Sequence, residues 1–373
     1  MSRPEVIPVC RPTVGATALE RLGQCLESGW LGYGPLCREL EARFTVRGGH
    51  ALATANCTAA LHLAARLCRR ERRSRVLVPA ITFVSTVMAF AYAGLEVELV
   101  DVDPHTGLID PQDLARRIDL DCCAVVAVHL YGQKAELAAL RELCDAHELT
   151  LIEDCAHRID LFDTDPPLGD IACYSFNAVK EAPGGESGLL WCRDGEWMDR
   201  ARQISNLGLT IDTPSRAATP VHRDYAFGDE LGLKLRGFDL AATLVLANLD
   251  ELAGSRAARA RIFAAFDAAL GRGGVMMPLA RDLADSFLMY VALTDAGQRD
   301  ALRQRLAQAG IATSFHYPSL SRHSGFSQGS LAGAETFDQQ VVTLPCFPAM
   351  SDDQLDRIVA ALVALDCDAP ARG

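Results

Sequence analysis

Short apolar runs alternate with stretches of helical spacing between residues 50 and 194, and this alternation constrains the fold more than any other feature. It is typical of strands joined by crossover helices in an α/β protein. The predicted strands are His50–Asn56, Arg75–Pro79, Glu96–Asp101, Ala124–His129, Leu149–Glu153, Ile171–Phe176 and Gly188–Cys192. The predicted helices between them are Ala59–Cys68, Ser85–Tyr92, Pro111–Arg117 and Ala135–His147. We therefore expect a mostly parallel seven-stranded sheet, with ligands gathered at the carboxyl ends of its strands.

The pattern changes after this region. From Asp212 to Lys234 the periodicity fails, which predicts a long surface loop of a class that is often functional. Further helices are predicted at Asp239–Leu252, Arg256–Leu270 and Asp352–Leu365, and further strands at Ser286–Leu293 and Thr313–His316. We predict a large domain over residues 1–250, including an N-terminal arm, and a smaller C-terminal α/β domain over residues 251–373.

Charge and cysteine content narrow the classes of function. The net charge of −12 argues against a nucleic-acid or anionic-membrane partner. The chain has no long uninterrupted apolar run and starts without the apolar segment of a signal peptide. Its 13 cysteines include no CxxC pair, which favours reduced, mostly buried thiols in a cytoplasmic protein. Small-molecule chemistry is the remaining expectation.

Lysine is scarce, and this draws attention to the lysines that remain. Of the 36 basic residues only Lys134, Lys180 and Lys234 are lysines. A bias toward arginine leaves lysine enriched where arginine cannot substitute for it. Forming an imine is one such task, because a guanidinium stays protonated and is a poor nucleophile.

Two segments place groups where a phosphate could bind. Asn56–Leu61 puts a tight turn between a strand and a helix start, where free N–H groups and the helix dipole attract an anion. The same segment also fits a plain helix cap at Thr58. In the second segment Ser175 and Lys180 lie just past another strand, so that Ser175 would reach a phosphate while Lys180 reaches an aldehyde carbon. The alternative there is a surface lysine in a loop.

An acid and an aromatic ring could complete a site for pyridoxal 5′-phosphate (PLP). Asp154 ends an apolar strand, where a carboxylate could pair with a protonated pyridine nitrogen and keep the ring able to accept electrons. A capping or salt-bridged aspartate is the structural alternative. Phe83 follows another strand, where its ring could lie flat on a pyridine, although a phenylalanine there could equally belong to the core.

Together these residues resemble the DegT/DnrJ/EryC1/StrS family of sugar aminotransferases, which are fold type I PLP-dependent enzymes. The resemblance covers nearly the whole chain, and the order and spacing of its blocks make it specific. The blocks are SGWLGYGP (28–35), NCTAALHL (56–63), VPAITFVST (78–86), VHLYGQ (128–133), EDCAH (153–157), YSFNAVKEAPGGESG (174–188), LRGFDLAATLVLANL (235–249) and LPCFPAMSDDQ (344–354).

The resemblance implies a role for each site residue. Lys180 would form the imine with PLP and act as the catalytic base, and Asp154 would pair with the pyridine nitrogen. His157, the third catalytic residue, would lie beside the ring's O3′, and Phe83 would stack on the ring. The residues implied to hold the phosphate are Cys57, Thr58, Ala59 and Ser175.

Three positions depart from the family pattern. Cys57 and Ser187 stand where the family has glycine, and Lys234 stands where it has asparagine. In the family the stretch around that asparagine comes from the neighbouring subunit and reaches the cofactor phosphate. The resemblance therefore implies a homodimer with shared active sites, in which Lys234 brings a positive charge to the phosphate.

Other kinds of site are less well supported by the sequence. Asp101 and Asp103 form a DxD pair, but they close a strand before a proline, which disfavours a metal site. His316 and His323 lack a clustered carboxylate, so we expect no metal there. No GxGxxG or GxxxxGK[ST] segment opens a helix, which disfavours NAD(P) and P-loop enzymes.

Three functions remain open from the sequence. The favoured one is transfer of an amino group from glutamate or glutamine to a keto sugar or keto cyclitol, in amino-sugar or antibiotic biosynthesis. The second is other PLP chemistry on the same fold, such as dehydration, decarboxylation, oxidation or cyclisation. The third, a non-catalytic PLP-binding protein, fits poorly with a chain that has the lysine, the acid and the aromatic ring together.

Overall fold

A computed structural model describes residues 5–45, 48–159, 167–210, 225–270, 274–280, 286–326 and 329–367. Most of the loop predicted from Asp212 to Lys234 lies outside the described residues, which resume at Tyr225. In the described part of the chain, no helix combines the length and apolar character needed to cross a membrane.

The predicted seven-stranded sheet is confirmed. Its strands are β1 (His50–Thr54), β2 (Arg75–Pro79), β3 (Glu96–Val100), β4 (Cys122–Val128), β5 (Thr150–Cys155), β6 (Ile171–Ser175) and β7 (Gly188–Cys192). They lie in the order β1-β7-β6-β5-β4-β2-β3, and only β7 runs antiparallel to its neighbours. Each predicted strand ends within two residues of its observed bounds, because long buried apolar runs are clear in the sequence.

Helices lie before, between and after the strands of this sheet along the chain. They are α1 (Ala18–Glu27), α2 (Pro35–Thr45), α3 (Cys57–Cys68), α4 (Val84–Tyr92), α5 (Pro111–Arg117), α6 (Leu137–His147), α7 (Gly195–Ile204), α8 (Asp239–Asp250) and α9 (Leu252–Leu270). One apolar core packs α3 and α4 against the sheet, and others pack α2 with α8, and α5 with α6. The central strands β4 and β5 are buried along their whole length.

A second sheet lies in the C-terminal part of the chain. It is antiparallel and contains β8 (Met276–Pro278), β9 (Tyr290–Thr294) and β10 (Val341–Leu344), in the order β10-β9-β8. The helices of this part are α10 (Arg299–Gln308), α11 (Ala332–Gln340) and α12 (Asp352–Cys367). The N-terminal arm packs here too, since buried Ile7 exchanges backbone hydrogen bonds with Gly310 and Ala312 at 2.9 and 3.0 Å.

The strand predicted at Thr313–His316 is wrong. Only Ser314 pairs with a strand, through hydrogen bonds of 3.1 and 2.8 Å with Thr343. The chain then leaves the small sheet and crosses to the large one, where the Leu320 N–H donates to Ala80 O at 2.9 Å. The strand predicted from Ser286 begins only at Tyr290, and β8 and β10 are further strands that the sequence did not predict.

The chain around residues 235–237 lies along the edge of the large sheet. The N–H of Ala55 donates to Leu235 O at 2.8 Å, and the N–H of Gly237 donates to Ala53 O at 2.9 Å. This pairing fixes the segment that carries Lys234 beside β1, at the open edge of the sheet.

Candidate active site

Asp154 lies near the end of the central strand β5, where it is 3 % exposed. Its carboxylate accepts a hydrogen bond from the Thr86 hydroxyl at 2.8 Å and one from the Ala156 N–H at 3.0 Å. Burial raises the pKa of Asp154, and these two neutral donors offset the effect only in part. A buried carboxylate with neutral hydrogen-bond partners of this kind would be stabilised by a cation.

His157 follows β5 and is buried beside two tyrosines. Its Nδ1 accepts the N–H of Tyr131 at 3.0 Å, so the proton of the neutral ring lies on Nε2 and is donated to the Tyr317 hydroxyl at 3.1 Å. Burial, with smaller effects from Lys180 and His316, holds the pKa of His157 well below its usual value. His157 is therefore a neutral donor that is fixed in orientation on both sides.

Lys180 is half-buried in the loop after β6. Burial lowers the pKa of its amine to about 8, against the opposite effect of Cys57, Asp154 and Cys10. The backbone N–H of Lys180 donates to the backbone oxygen of Asn177 at 2.9 Å, and this hydrogen bond closes a tight turn in that loop. Since an unprotonated amine is the nucleophile, the lowered pKa makes Lys180 reactive at neutral to slightly basic pH.

The start of helix α3 presents backbone N–H groups that could bind an anion. The N-cap is Asn56, whose side chain accepts the Ala59 N–H at 2.8 Å, so the alternative of a plain cap at Thr58 is wrong. The Ala59 N–H is therefore taken by the cap, whereas the N–H groups of Cys57 and Thr58 precede the helix's own hydrogen bonds and can face an anion. Thr58 is exposed at this start, whereas Cys57 and Ala59 are buried.

Glycine at position 188 allows β7 to reach this helix start. A Cβ on Gly188 would lie 2.4 Å from the carbonyl carbon of Asn56 and 2.5 Å from the nitrogen of Cys57, so no side chain fits. Ser175 is the residue paired with Gly188 across β6 and β7. The sheet therefore brings the Ser175 side of β6 next to the first turn of α3, as a phosphate site requires.

Two further predicted residues lie at the margin of the site. Phe83, directly before α4, is 54 % exposed, and its ring lies 5.6 Å from that of Tyr317. Lys234 is exposed, and its backbone forms a bridge with Asn206. The contact of Lys234 with a phosphate across a dimer stays a prediction, since it involves a second chain.

Three residues of the site were missed by sequence reasoning. Thr86 could have been found from its spacing, because it lies one helical turn after Thr82. In the structure the two hydroxyls are hydrogen-bonded at 2.8 Å. Tyr131 and Tyr317 lie in irregular segments without periodicity. They become visible only when the fold places them against His157.

The polar clusters outside this site have structural partners. Asp101, from the DxD pair, caps α11 by accepting the N–H groups of Gly333 and Ala334 at 2.9 and 2.8 Å. His129 donates through Nε2 to Glu153 at 2.8 Å, because its Nδ1 already accepts a backbone N–H. The carboxylate of Glu153 also accepts the Gly169 N–H at 2.6 Å.

The donor set fits PLP, since a pyridinium would give Asp154 a cationic partner beside its neutral donors Thr86 and Ala156, and α3 would receive the phosphate. With this sheet order and these neighbours, the chain is a fold type I PLP-dependent aminotransferase. It belongs to the DegT/DnrJ/EryC1/StrS aminotransferase family, whose model matches residues 12–363.

Individual relatives cover nearly the whole chain. The spore coat polysaccharide biosynthesis protein SpsC of Bacillus subtilis (strain 168) is 28 % identical over 380 residues, covering 96 % of this chain and 97 % of that protein. The crystal structure of the aminotransferase TlmJ from Streptoalloteichus hindustanus is 29 % identical, with a TM-score of 0.87 and coverage of 96 % and 98 %. The sugar aminotransferase CalS13 from Micromonospora echinospora is 27 % identical, with a TM-score of 0.85 and coverage of 96 % and 99 %.

Proposed function

We propose that this aminotransferase moves an amino group from glutamate or glutamine to a keto sugar or keto cyclitol, in amino-sugar or antibiotic biosynthesis. The observation that carries the proposal is the buried Asp154 carboxylate, whose hydrogen-bond donors are the neutral Thr86 hydroxyl and Ala156 N–H. It lies on β5, next to the strand β6 that leads into the loop of Lys180. The similarity to CalS13, a sugar aminotransferase, and to SpsC, a polysaccharide biosynthesis protein, supports a sugar as the acceptor.

The side chains divide the chemistry among them. When bound, PLP would supply an electron sink for the carbon that carries the amine. Lys180 would hold the cofactor through its amine and would also serve as the base that moves a proton near neutral pH. Asp154 would keep the ring nitrogen protonated, and His157 would donate to O3′ from its neutral ring. Phe83 would stack on the ring.

A second group of residues would hold the cofactor phosphate. We assign this role to the first turn of α3, with Cys57, Thr58 and Ala59, and to the hydroxyl of Ser175. In a homodimer the partner subunit's Lys234 would complete it. Exposed apolar side chains at Leu207, Phe227, Leu231 and Leu233 support burial of this surface by a second copy. We assign the enzyme to the cytoplasm, where its cysteines stay reduced.

The second candidate is PLP chemistry without transamination, such as dehydration, decarboxylation, oxidation or cyclisation. The buried Cys57 and Ser187, at positions where glycine was expected, are the observations that favour it.

One set of experiments tests both the anchor and the reaction. Borohydride reduction of the PLP-loaded enzyme followed by peptide mapping should place the pyridoxyl group on Lys180, and label on Lys134 or Lys234 would refute the assignment. Glutamate or glutamine should then change the absorbance of the bound cofactor, and a panel of keto sugars and cyclitols should reverse that change. If no amino donor changes the spectrum while a substrate is still consumed, the second candidate replaces the first.

A further inference from the structure

A cavity of about 310 Å³ lies between the N-terminal arm, the lysine loop and helix α9. We call it the arm pocket, and the residues that define it are Arg11, Thr13, Lys180, Asn248, Ser255 and Arg259. Its volume is at the lower end of the range for small-molecule sites. Lys180 is among the lining residues, so the pocket adjoins the loop that carries the reactive amine.

Two polar groups of the arm pocket are buried without protein partners. Arg259 is 3 % exposed, and its Nη1 donates to Ser255 Oγ at 2.5 Å, but within the described residues its Nε donor has no acceptor. The hydroxyl oxygen of Thr13 is likewise buried without a partner in the described part of the chain. Buried donors of this kind carry a desolvation cost that a ligand acceptor would remove.

The charge of the pocket is positive in a protein whose net charge is −12. Arg11 and Arg259 both line it. Of the two lining carboxylates, Glu181 is neutralised by Arg256 at 2.8 and 3.0 Å. Glu251 keeps its charge and accepts the N–H of Ala16 at 2.7 Å, so the two arginines outnumber this carboxylate. A guanidinium with unused donors beside a hydroxyl is well suited to a carboxylate.

We propose that the arm pocket binds the side-chain carboxylate of glutamate as the amino donor, with Arg259, Arg11 and Thr13 as its ligands. The proposal rests on the proposed function, because it gives the dicarboxylic donor a place beside the loop of Lys180. It also makes these three residues determinants of donor specificity, since a neutral donor side chain would leave the Arg259 donors unpaired.

The test measures binding without chemistry. Glutarate has the two carboxylates of glutamate but no amine, so it cannot form an imine, and glutaramide is its neutral counterpart. Calorimetry on the PLP-loaded enzyme should detect glutarate and not glutaramide. Arg259→Met should weaken glutarate binding by about ten- to a hundred-fold, and Arg259→Lys should restore part of it.

Arg261→Met is the matched control, because Arg261 lies on the same helix and pairs with exposed Asp352 outside the pocket. If Arg259→Met fails to fold, Arg11→Met on the exposed arm and Thr13→Val test the same site. Unchanged glutarate affinity in the folded pocket variants, or equal loss in Arg261→Met, would overturn the proposal.

A second readout separates this proposal from the proposed function. If glutamate converts the cofactor equally well in wild type and Arg259→Met, the pocket is wrong and transamination stands. If glutarate binding depends on Arg259 but no amino donor converts the cofactor, the pocket stands as a carboxylate site and transamination is wrong.

Discussion

The seven-stranded and three-stranded parts of the molecule meet at the site and contribute different kinds of group. The large sheet supplies Asp154 and Ser175 from strand ends that are fixed by burial on both faces. The C-terminal part supplies Tyr317, a neutral group that contacts His157 and Phe83 from an irregular segment. In the proposed mechanism the charged groups thus lie at a strand end of the large sheet, for Asp154, or in the loop that follows β6, for Lys180, and the other part orients His157. Substitutions of the charged groups should therefore lower turnover more than substitution of Tyr317.

The largest effect is expected for Lys180→Ala. Without the amine the enzyme loses both the covalent anchor and the base, so turnover should fall by about 10⁴-fold or more.

In the wild type, covalent loading of apoenzyme with PLP should speed up as pH rises through about 8, where the amine loses its proton, and not near the usual 10.5. Stopped-flow absorbance measures both. Turnover retained by the variant, or a loading midpoint above pH 10, would contradict this assignment.

Asp154→Asn should come second. It keeps the hydrogen bonds from Thr86 and Ala156 within reach but removes the charge that holds the ring nitrogen protonated. We expect turnover to fall by about 10²- to 10³-fold while PLP still binds. Steady-state kinetics together with the spectrum of the bound cofactor would check this. Activity near that of the wild type would show that the acid is only structural.

The same comparison explains what the sequence could predict. Asp154 and Ser175 were found because each lies at the polar end of a long apolar run, and neighbouring strands bring such ends together. Tyr317 could not be found in this way. Its position depends on the crossing from Ser314, paired with Thr343, to Leu320, bonded to Ala80, and these contacts join segments that are far apart in sequence. The short strands β8 and β10 were missed for a related reason, because three or four residues show no period.

Tyr317→Phe tests the orienting part of the molecule. The change removes the acceptor of the His157 Nε2–H at 3.1 Å and leaves a buried donor unpaired. Turnover should fall by roughly 10- to 50-fold, less than for Asp154→Asn. Tyr92→Phe is the matched control, since Tyr92 is 83 % exposed on α4. A loss as large as that of Asp154→Asn would show that the hydroxyl takes part in proton transfer, and the division between the two parts would no longer hold.

The smallest effect is expected for Lys234→Ala, which tests the edge of the large sheet. The backbone of Lys234 is fixed beside β1, and its side chain is exposed in one chain. In the proposed dimer its ammonium faces the partner's phosphate. This charge offsets the poorer backbone approach to the phosphate that Cys57 imposes where a glycine would allow a closer one. Because solvent screens a charge at such a position, the PLP dissociation constant should rise only about three- to ten-fold.

Dialysis and re-titration measure the PLP dissociation constant of Lys234→Ala, and size-exclusion chromatography of the apoenzyme should show a weaker dimer. Lys134→Ala, at another exposed lysine, is the control and should change neither quantity. Identical PLP affinity in both variants would mean that Lys234 points to solvent and that the phosphate is held by α3 and Ser175 alone.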